Sequence, residues 1–580
     1  MEQVRLADIS VRTFGWIQNP SDFSKLKKVV QVFDHTSSVH YDLKINRIPR
    51  LILNEDDRNR FIDELNKIPL KLSYKDLKGK ACIPRNPAYC NGILQAIIEG
   101  QGKKEFVDDW TADGFIRWAH ALGFIDYEYT TDSFYITPLG FDFSRTVNDS
   151  KGEKEILISS MLSYPPAVRV LDLLSSGDHL TKYEIGKVLG FAGESGFTSL
   201  PQNILINSLA TCDDSNEIKK MKSDWDGSSD KYARMIGGWL SKLGLVNRVN
   251  KNFNIEVDGI TKCVSIAHAF KITPDGLRAL RRAKGINKVA RIEKRVHWEM
   301  FATKETDKIY VRTRRAYILK SLAKSSGLIN VEQIKDILSS KGLNENIETI
   351  KDDIRGLINI GLNIEVNSRG YLLKDSINDF VIPVIEVEEV KKSSTEELKA
   401  QLRTQLTNIS LDYLQLVDIS TDSKQNRLFE MKVMDLFINE LDFKGSHLGG
   451  GRKPDGAVYT TNYGIIVDTK AYKDGYNLPI SQADEMERYV RENIDRNKGI
   501  NPNEWWTIFP SSINDFTFLF VSGYFKGNFE GQLQRISMST GIKGGAIGVE
   551  HLLLCAEYYK RGILSHQDIR DSFKNAEIEF

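Results

Sequence analysis

Two short motifs, Pro454-Asp455 and Asp468-Thr469-Lys470, with twelve residues between the two aspartates, constrain this chain more than any other feature. They lie in RKPDGAVYTTNYGIIVDTKAY, where a polar turn at residues 460–462 separates two short runs of β character. The apolar run Gly464 to Val467 predicts a buried strand, and alternation puts the side chains of Asp468 and Lys470 on one face and Thr469 on the other. A hairpin then carries Asp455 to the same place on the neighbouring strand. Two carboxylates beside an amine suit a hard divalent cation such as Mg²⁺. Asp455 and Asp468 supply oxygen ligands, the Thr469 carbonyl a third, and waters and a phosphate complete about six. Lys470 is placed to orient or deprotonate an attacking water and to offset developing negative charge. A bare D-x-K triplet is usually a surface ion network. The preceding Pro-Asp, the spacing, the hairpin and the buried strand together favour a metal site for phosphodiester hydrolysis.

At 580 residues, 41% hydrophobic and 27% charged, the chain has room for several domains with their own cores. No apolar run reaches membrane-spanning length and MEQVRLADIS carries no secretory signal. Cys82, Cys90, Cys212, Cys263 and Cys555 are odd in number and widely spaced, so neither zinc nor disulfides are indicated and a reducing cytoplasm is the expected location. The nine histidines form no ligand pattern, and Gly449-Gly450-Gly451 lacks the G-K-[ST] of a nucleotide loop. Charge is unevenly spread: residues 386–580 carry a net −6 and the remainder a net +7. A basic front half suits phosphate contacts, while an acidic rear half with a metal site binds DNA weakly unless tethered to it.

An internal repeat occupies the front half. FIRWAHALGFIDYE precedes DSFYITPLG, MIGGWLSKLGLVNRV precedes HAFKITPDG, and a looser copy, DIRGLINIGLNIEV, precedes SRGYLLKDS. A helix, a glycine stop and a hairpin are the end of a winged helix-turn-helix unit. In the second copy Tyr232, Ile236, Trp239, Leu240 and Leu243 form a core stripe, with Ser229 or Asp230 as the expected N-cap. Lys231 and Arg234 lie on the other face near the helix start, where a recognition helix meets guanine edges. In the third copy Ile347, Ile350, Ile354, Leu357 and Ile358 are the expected stripe, and Glu345, Glu348 and Asp352 with Lys351 and Arg355 the exposed side. That acidic-leaning face is a poor phosphate binder and reads as a protein contact.

LFEMKVMDLF, HLGGGRKPDG, VDTKAY, GYNLPISQADEMERYV and NPNEWW resemble the cleavage domain of FokI-type (type IIS) restriction endonucleases of the PD-(D/E)xK superfamily. RTFGWIQNP, GFIRWAHALGF, GESGFTSLP, SSDKYARMIGGWL and KRVHWEM extend the resemblance over nearly the whole chain. It implies a Mg²⁺-dependent enzyme that binds a short asymmetric site in double-stranded DNA and cuts both strands at a fixed distance outside it. It adds Gln18, Asn19, Arg85, Trp110 and Asp226 as DNA contacts; the family pattern has Glu where Asp226 stands. It also implies that the third unit restrains the nuclease until DNA is bound. The expected architecture is multidomain α+β. Three tandem winged-helix recognition units (1–150, 151–287 and 288–380) and a linker (381–397) precede an α/β nuclease domain (398–580) with a central mixed β-sheet flanked by helices. A helix after the linker is expected to be capped by Ser394 or Thr395.

One PD…D-x-K set cannot cut two antiparallel strands at once. Asp484 and Arg488, four apart on an expected helix, read most simply as an intrahelical salt bridge. The resemblance instead implies reciprocal Asp484–Arg488 pairing between two nuclease domains that meet on DNA, the protein being a monomer in solution. The alternatives are a strand-specific nicking enzyme and a winged-helix DNA-binding regulator with an inactive nuclease.

Overall fold

In the computed structural model the described residues are 6–7, 12–81, 89–102, 104–257, 259–286, 292–304, 307–383 and 392–580. They form two compact units: Met1–Phe191 with Lys231–Asn250 and His268–Lys391, and Ala192–Asp230 with Lys251–Ala267 and Lys392–Phe580.

The three repeats each form a helix, a glycine stop and a hairpin. Helix α1 (Asp109–Ala121) leads to antiparallel strands Ile125–Glu128 and Ser133–Ile136, α2 (Ser228–Lys242) to Val246–Val257 and Ile260–Ile272, and α3 (Ile347–Asn359) to Ile364–Asn367 and Gly370–Leu373. The Leu-Gly stops are left-handed turns, with φ of +81° at Gly123 and +78° at Gly244, which glycine adopts without steric cost. Ile-Thr-Pro does more than end a strand. Thr137 and Thr273 each accept a 3.0 Å hydrogen bond from Gly140 and Gly276 backbone N–H groups, capping the helices Pro138–Ser144 and Pro274–Ala283. In unit 1 the Trp118 and Trp239 rings of α1 and α2 stack at 4.7 Å, so the first two repeats share a core.

Two expectations about these helices change. Helix α2 begins at Ser228, so neither Ser229 nor Asp230 precedes it; both are fully buried. Asp230 turns inward, accepting from Ser199 Oγ (2.5 Å), Leu200 N (2.9 Å) and Gly227 N (2.8 Å), and burial pushes its carboxyl up to about 7. In the third repeat Glu345 is buried rather than exposed, accepting from Tyr310 Oη and pairing with Arg314 at 3.0 Å. Arg314 and Arg315 also pair with buried Asp353 at 2.6 and 2.7 Å. Ile350, Ile354 and Leu357 are buried as expected, whereas Ile347 and Ile358 are half-buried.

The C-terminal module is a five-stranded mixed sheet. Helix α4 (Asn426–Asn439) precedes strands β1 (Lys444–His447), β2 (Gly456–Tyr459), β3 (Tyr463–Lys470), β4 (Asp515–Ser522) and β5 (Gly544–Gly548), in the order β5-β4-β3-β2-β1. The β1–β2 and β2–β3 pairs are antiparallel, β3–β4 and β4–β5 parallel. Helices α5 (Ile480–Asp495) and α6 (Phe529–Thr540) are the crossovers that parallel pairing requires. They cover a face whose core includes Ile466, Tyr476, Met486, Tyr489, Trp505 and Phe518. Residues 384–391 of the linker lie outside the described residues, and Ser393, not Ser394 or Thr395, caps the helix Ser394–Gln405 through a 3.3 Å bond from Glu396 N.

Candidate active site

The predicted hairpin is present. Gly456 pairs with Val467 and Tyr459 with Gly464 around the 460–462 turn, so Asp455, one residue ahead of β2, stands level with Asp468. The charge of Asp468 acts directly on the Asp455 carboxyl. Lys470 Nζ lies 2.9 and 2.8 Å from the two Asp468 oxygens, consistent with both side chains leaving one face of β3. Thr469 departs from simple alternation: its backbone N–H (2.7 Å) and its hydroxyl (3.0 Å) both donate to Asp455 Oδ2. Asp455 lies outside the strand, so it bends back to Thr469, and this anchoring was not visible in spacing alone.

The electrostatics show what the site lacks. Burial, then Asp468, then Glu430 hold the Asp455 carboxyl well above its usual range, and burial also raises Asp468 despite Lys470. Burial opposes the charge on Lys470, but Asp468 and Asp455 outweigh it and raise its amine. Two carboxylates, Asp468 buried and Asp455 half-buried, therefore share one ammonium, and an additional cation would relieve their repulsion. Oxygen donors in this arrangement fit a hard divalent ion, to which Asp455 and Asp468 would be the protein's charged ligands. Glu430, on α4, accepts a hydrogen bond from His447 Nε2 at 3.0 Å and pairs with Arg427 at 3.3 Å. Gly449, Gly450 and Gly451 all have positive φ, and the N–H groups of Leu448 and Gly449 donate to the Asp455 carbonyl at 2.8 and 3.2 Å. The glycine loop is thereby tied to the backbone of the site.

Other predicted residues lie apart from this cluster. Gln18 is half-buried and Asn19 exposed, with the Asn19 carbonyl seated so closely on α1 that a Cβ at Gly114 would stand 2.3 Å from it. Trp110 is in the first turn of α1, 51% exposed, with the Arg117 guanidinium 5.4 Å from its ring centre. Asp226, Lys231 and Arg234 are half-buried around the start of α2. Arg85 falls outside the described residues. The intrahelical Asp484–Arg488 pair is replaced by others: Asp484 pairs with Arg535 of α6 at 2.6 Å, and Arg488 with Glu485 at 3.2 Å and Glu492 at 3.7 Å.

Four family profiles match the chain: "FokI, cleavage domain" over residues 392–579, recognition-domain subdomain 1 over 12–146, subdomain 2 over 153–258 and the D3 domain over 301–369. The chain is 52% identical to the type II restriction enzyme FokI of Planomicrobium okeanokoites, covering 98% of this chain and 99% of that one. It is 32% identical to the type II restriction enzyme StsI of Streptococcus sanguinis, covering 99% and 97%. Solved structures of FokI, alone and bound to DNA, superpose with TM-scores of 0.93 and 0.94 at 51% identity, covering 98% of this chain and all of theirs. Motifs, mixed sheet and full-length similarity converge: the chain belongs to the FokI family of type II restriction endonucleases.

Proposed function

We propose that this enzyme binds a short asymmetric DNA site through its recognition subdomains and cleaves both strands at a fixed distance outside it, using Mg²⁺. The observation that carries the proposal is the convergence of Asp455, Asp468 and Lys470 in one cluster, Asp468 buried and the other two half-buried. Bound Mg²⁺ supplies charge neutralisation and a more acidic water. The protein's own part is positional. Thr469 fixes Asp455, its carbonyl being the proposed third ligand, and Lys470 holds the proton of an attacking water or the charge of the phosphate. Gln18, Asn19, Arg85, Trp110, Asp226, Lys231 and Arg234 are the proposed DNA contacts, and exposure of Trp110 supports its place among them. The enzyme acts in the cytoplasm, where buried Cys90 and Cys555 stay reduced; among the described residues no helix is long and apolar enough to cross a membrane.

Cutting both strands then calls for two cleavage modules on one duplex, and the protein is a monomer until it meets DNA. Asp484, Arg488 and Arg535 share the α5–α6 region with exposed Ile480, Ile500 and Met538, a mixed charged and apolar surface suited to a small two-fold contact. Restraint before DNA binding has support within the second unit. Segment Ala192–Asp230 packs on the cleavage module, Ser195 N donating to Asp418 at 3.1 Å and Arg427 stacking over Trp225 at 4.6 Å. The third repeat is proposed to add to that restraint through its Glu348, Lys351, Asp352 and Arg355 face. A tether between the halves would let the module reach on the order of 34 Å, one helical turn, beyond the bound site.

Supercoiled plasmid incubated with Mg²⁺ tests the proposal: linear product from the natural chain and none from Asp455→Ala, Asp468→Ala or Lys470→Ala is expected. Nicked circles as the sole product, or full cutting by either aspartate variant, would overturn it.

A further inference from the structure

Tyr476 follows β3 in the stretch GYNLPI and is 1% exposed. Its backbone is fixed by Tyr476 N donating to Tyr524 O (3.0 Å) and Lys526 N donating to Tyr476 O (2.9 Å). Its ring stacks on half-exposed Tyr472 at 5.2 Å and meets Phe525 edge-on at 6.0 Å. The position of the hydroxyl is therefore set from both sides. Yet that hydroxyl is buried without a hydrogen-bond partner among the described residues. Other buried tyrosines of the same module are satisfied: Tyr413 donates to Asp435 at 3.0 Å, Tyr463 to His566 O at 2.9 Å and Tyr489 to Glu485 at 3.0 Å. A buried, unsatisfied hydroxyl in a rigid core calls for a reason, because replacing it with hydrogen would otherwise be favourable.

Its surroundings supply one. After burial itself, the groups that raise the Tyr476 phenol are Asp468, then Tyr472 and Glu485. Ile466, two residues before Asp468 and so on the same face of β3, packs in one core cluster with Tyr476, which places the ring on the face of the strand that carries the carboxylate proposed to hold the metal. A phenol on that face, with no acceptor among the described residues, can act there as a donor to an oxygen that the protein does not provide.

We infer that Tyr476 is a further working residue of the cleavage centre, its hydroxyl donating a hydrogen bond to an oxygen gathered beside Asp468 during the reaction, either a water or the scissile phosphate. The inference rests on the metal-site reading above and adds a hydrogen-bond donor to it. Tyr472, half-exposed, stacks on the ring of Tyr476.

Tyr476→Phe removes the hydroxyl and nothing else. The full chain carrying it should melt at the same temperature as the natural protein, or higher, without metal, and bind cognate DNA equally. Its single-turnover cleavage rate should fall roughly 10- to 100-fold, the range seen when a group bonded to a metal's ligands is lost. If the acceptor is a metal-bound water, the Mg²⁺-induced rise in melting temperature without DNA should shrink as well. If the acceptor is the phosphate, that rise should stay and the rate alone should fall. An unchanged cleavage rate and Mg²⁺ midpoint would overturn the inference, as would a lower melting temperature without metal, which would reveal a purely structural partner. Asp468→Ala run in parallel keeps the two readings apart: if it still cuts, the metal site itself is misplaced, whatever Tyr476→Phe does.

Discussion

Asp455 lies one residue outside a strand, where backbone pairing does not fix its side chain; two hydrogen bonds from Thr469 do. Each is a bond to a group that must be charged to hold a cation, a class worth about 1.5–3 kcal/mol. Thr469→Val keeps the backbone donor and the shape but loses the hydroxyl, so cleavage should fall about tenfold or more while DNA binding is retained. Thr469→Ser should recover most of the loss in the same single-turnover assay, and failure of that rescue would assign the effect to packing. A second residue, Asp230, bears on pH. Its ordinary carboxyl value is 3.8 and burial lifts it to about 7 in the fold. The folded state therefore binds the proton more tightly than the unfolded chain, and stability should decline as pH rises from about 4 through about 7. Asp230→Asn should flatten that slope in urea titrations across this range; an unchanged slope would mean that another group is responsible. The aspartates and lysine of the site were legible because chemistry restricts them to a few residue types at a fixed hairpin spacing. The Thr469 hydroxyl and the Tyr476 phenol were not, because their importance lies in which partners they have or lack, and periodicity carries no such information.

At the scale of elements, the repeated Ile-Thr-Pro-x-Gly shows how much of a fold a short motif can carry. The threonine caps a helix, the proline sets its first turn, and the glycine lets that helix lie against the backbone just ahead of the hairpin's first strand: a Cβ at Gly276 would stand 2.0 Å from the Leu245 carbonyl, and one at Gly140 2.0 Å from that of Phe124. The three helix-hairpin repeats and the nuclease hairpin were readable from periodicity and glycine placement. Helix starts were less so. Ser229 and Asp230 resemble caps in sequence but are consumed by tertiary contacts, as Glu345 is by Arg314. Helices α5 and α6 carry the next prediction. Their charges are engaged within one molecule, Asp484 with Arg535 and Arg488 with Glu485, so pairing between modules must exchange these bonds for equivalent ones. The exchange is nearly neutral for exposed pairs, which suits contact on DNA and a monomer off it. Asp484→Arg and Arg488→Asp should each yield mostly nicked plasmid, and an equimolar mixture should restore linear product. Restoration failing, with each variant still folded and DNA-bound, would remove these residues from the contact.

At the scale of the molecule, recognition and cleavage segments are not cleanly divided. Residues 192–230 match recognition subdomain 2 in sequence but belong to the same compact unit as the cleavage module. Their packing is made of buried charge as well as ring contacts. Lys399 bonds Asp418 at 2.5 Å while Arg403 lies 3.3 Å from Glu396 and 4.0 Å from Glu194, all but Asp418 nearly inaccessible to water. Trp225 meets His447 edge-on at 6.2 Å, and His447 is bonded to Glu430, whose charge reaches Asp455. Trp225 also adjoins Asp226, a proposed base contact, so one short segment would link a proposed DNA contact to the neighbourhood of the metal site. If this packing restrains the nuclease, loosening it should release activity where no recognition site is present. Trp225→Ala removes a buried aromatic face from Arg427 and His447 while leaving Asp455, Asp468 and Lys470 in place. Its expected signature is several-fold faster nicking of plasmid lacking the cognate site, with cognate cleavage still dependent on Mg²⁺. The comparison is made at protein concentrations that saturate each DNA in gel shift, so that a change in affinity does not masquerade as a change in restraint. Equal rates on site-free plasmid for the natural chain and the variant would show that this packing leaves the nuclease unrestrained, and would leave the charged face of α3 as the element to test next.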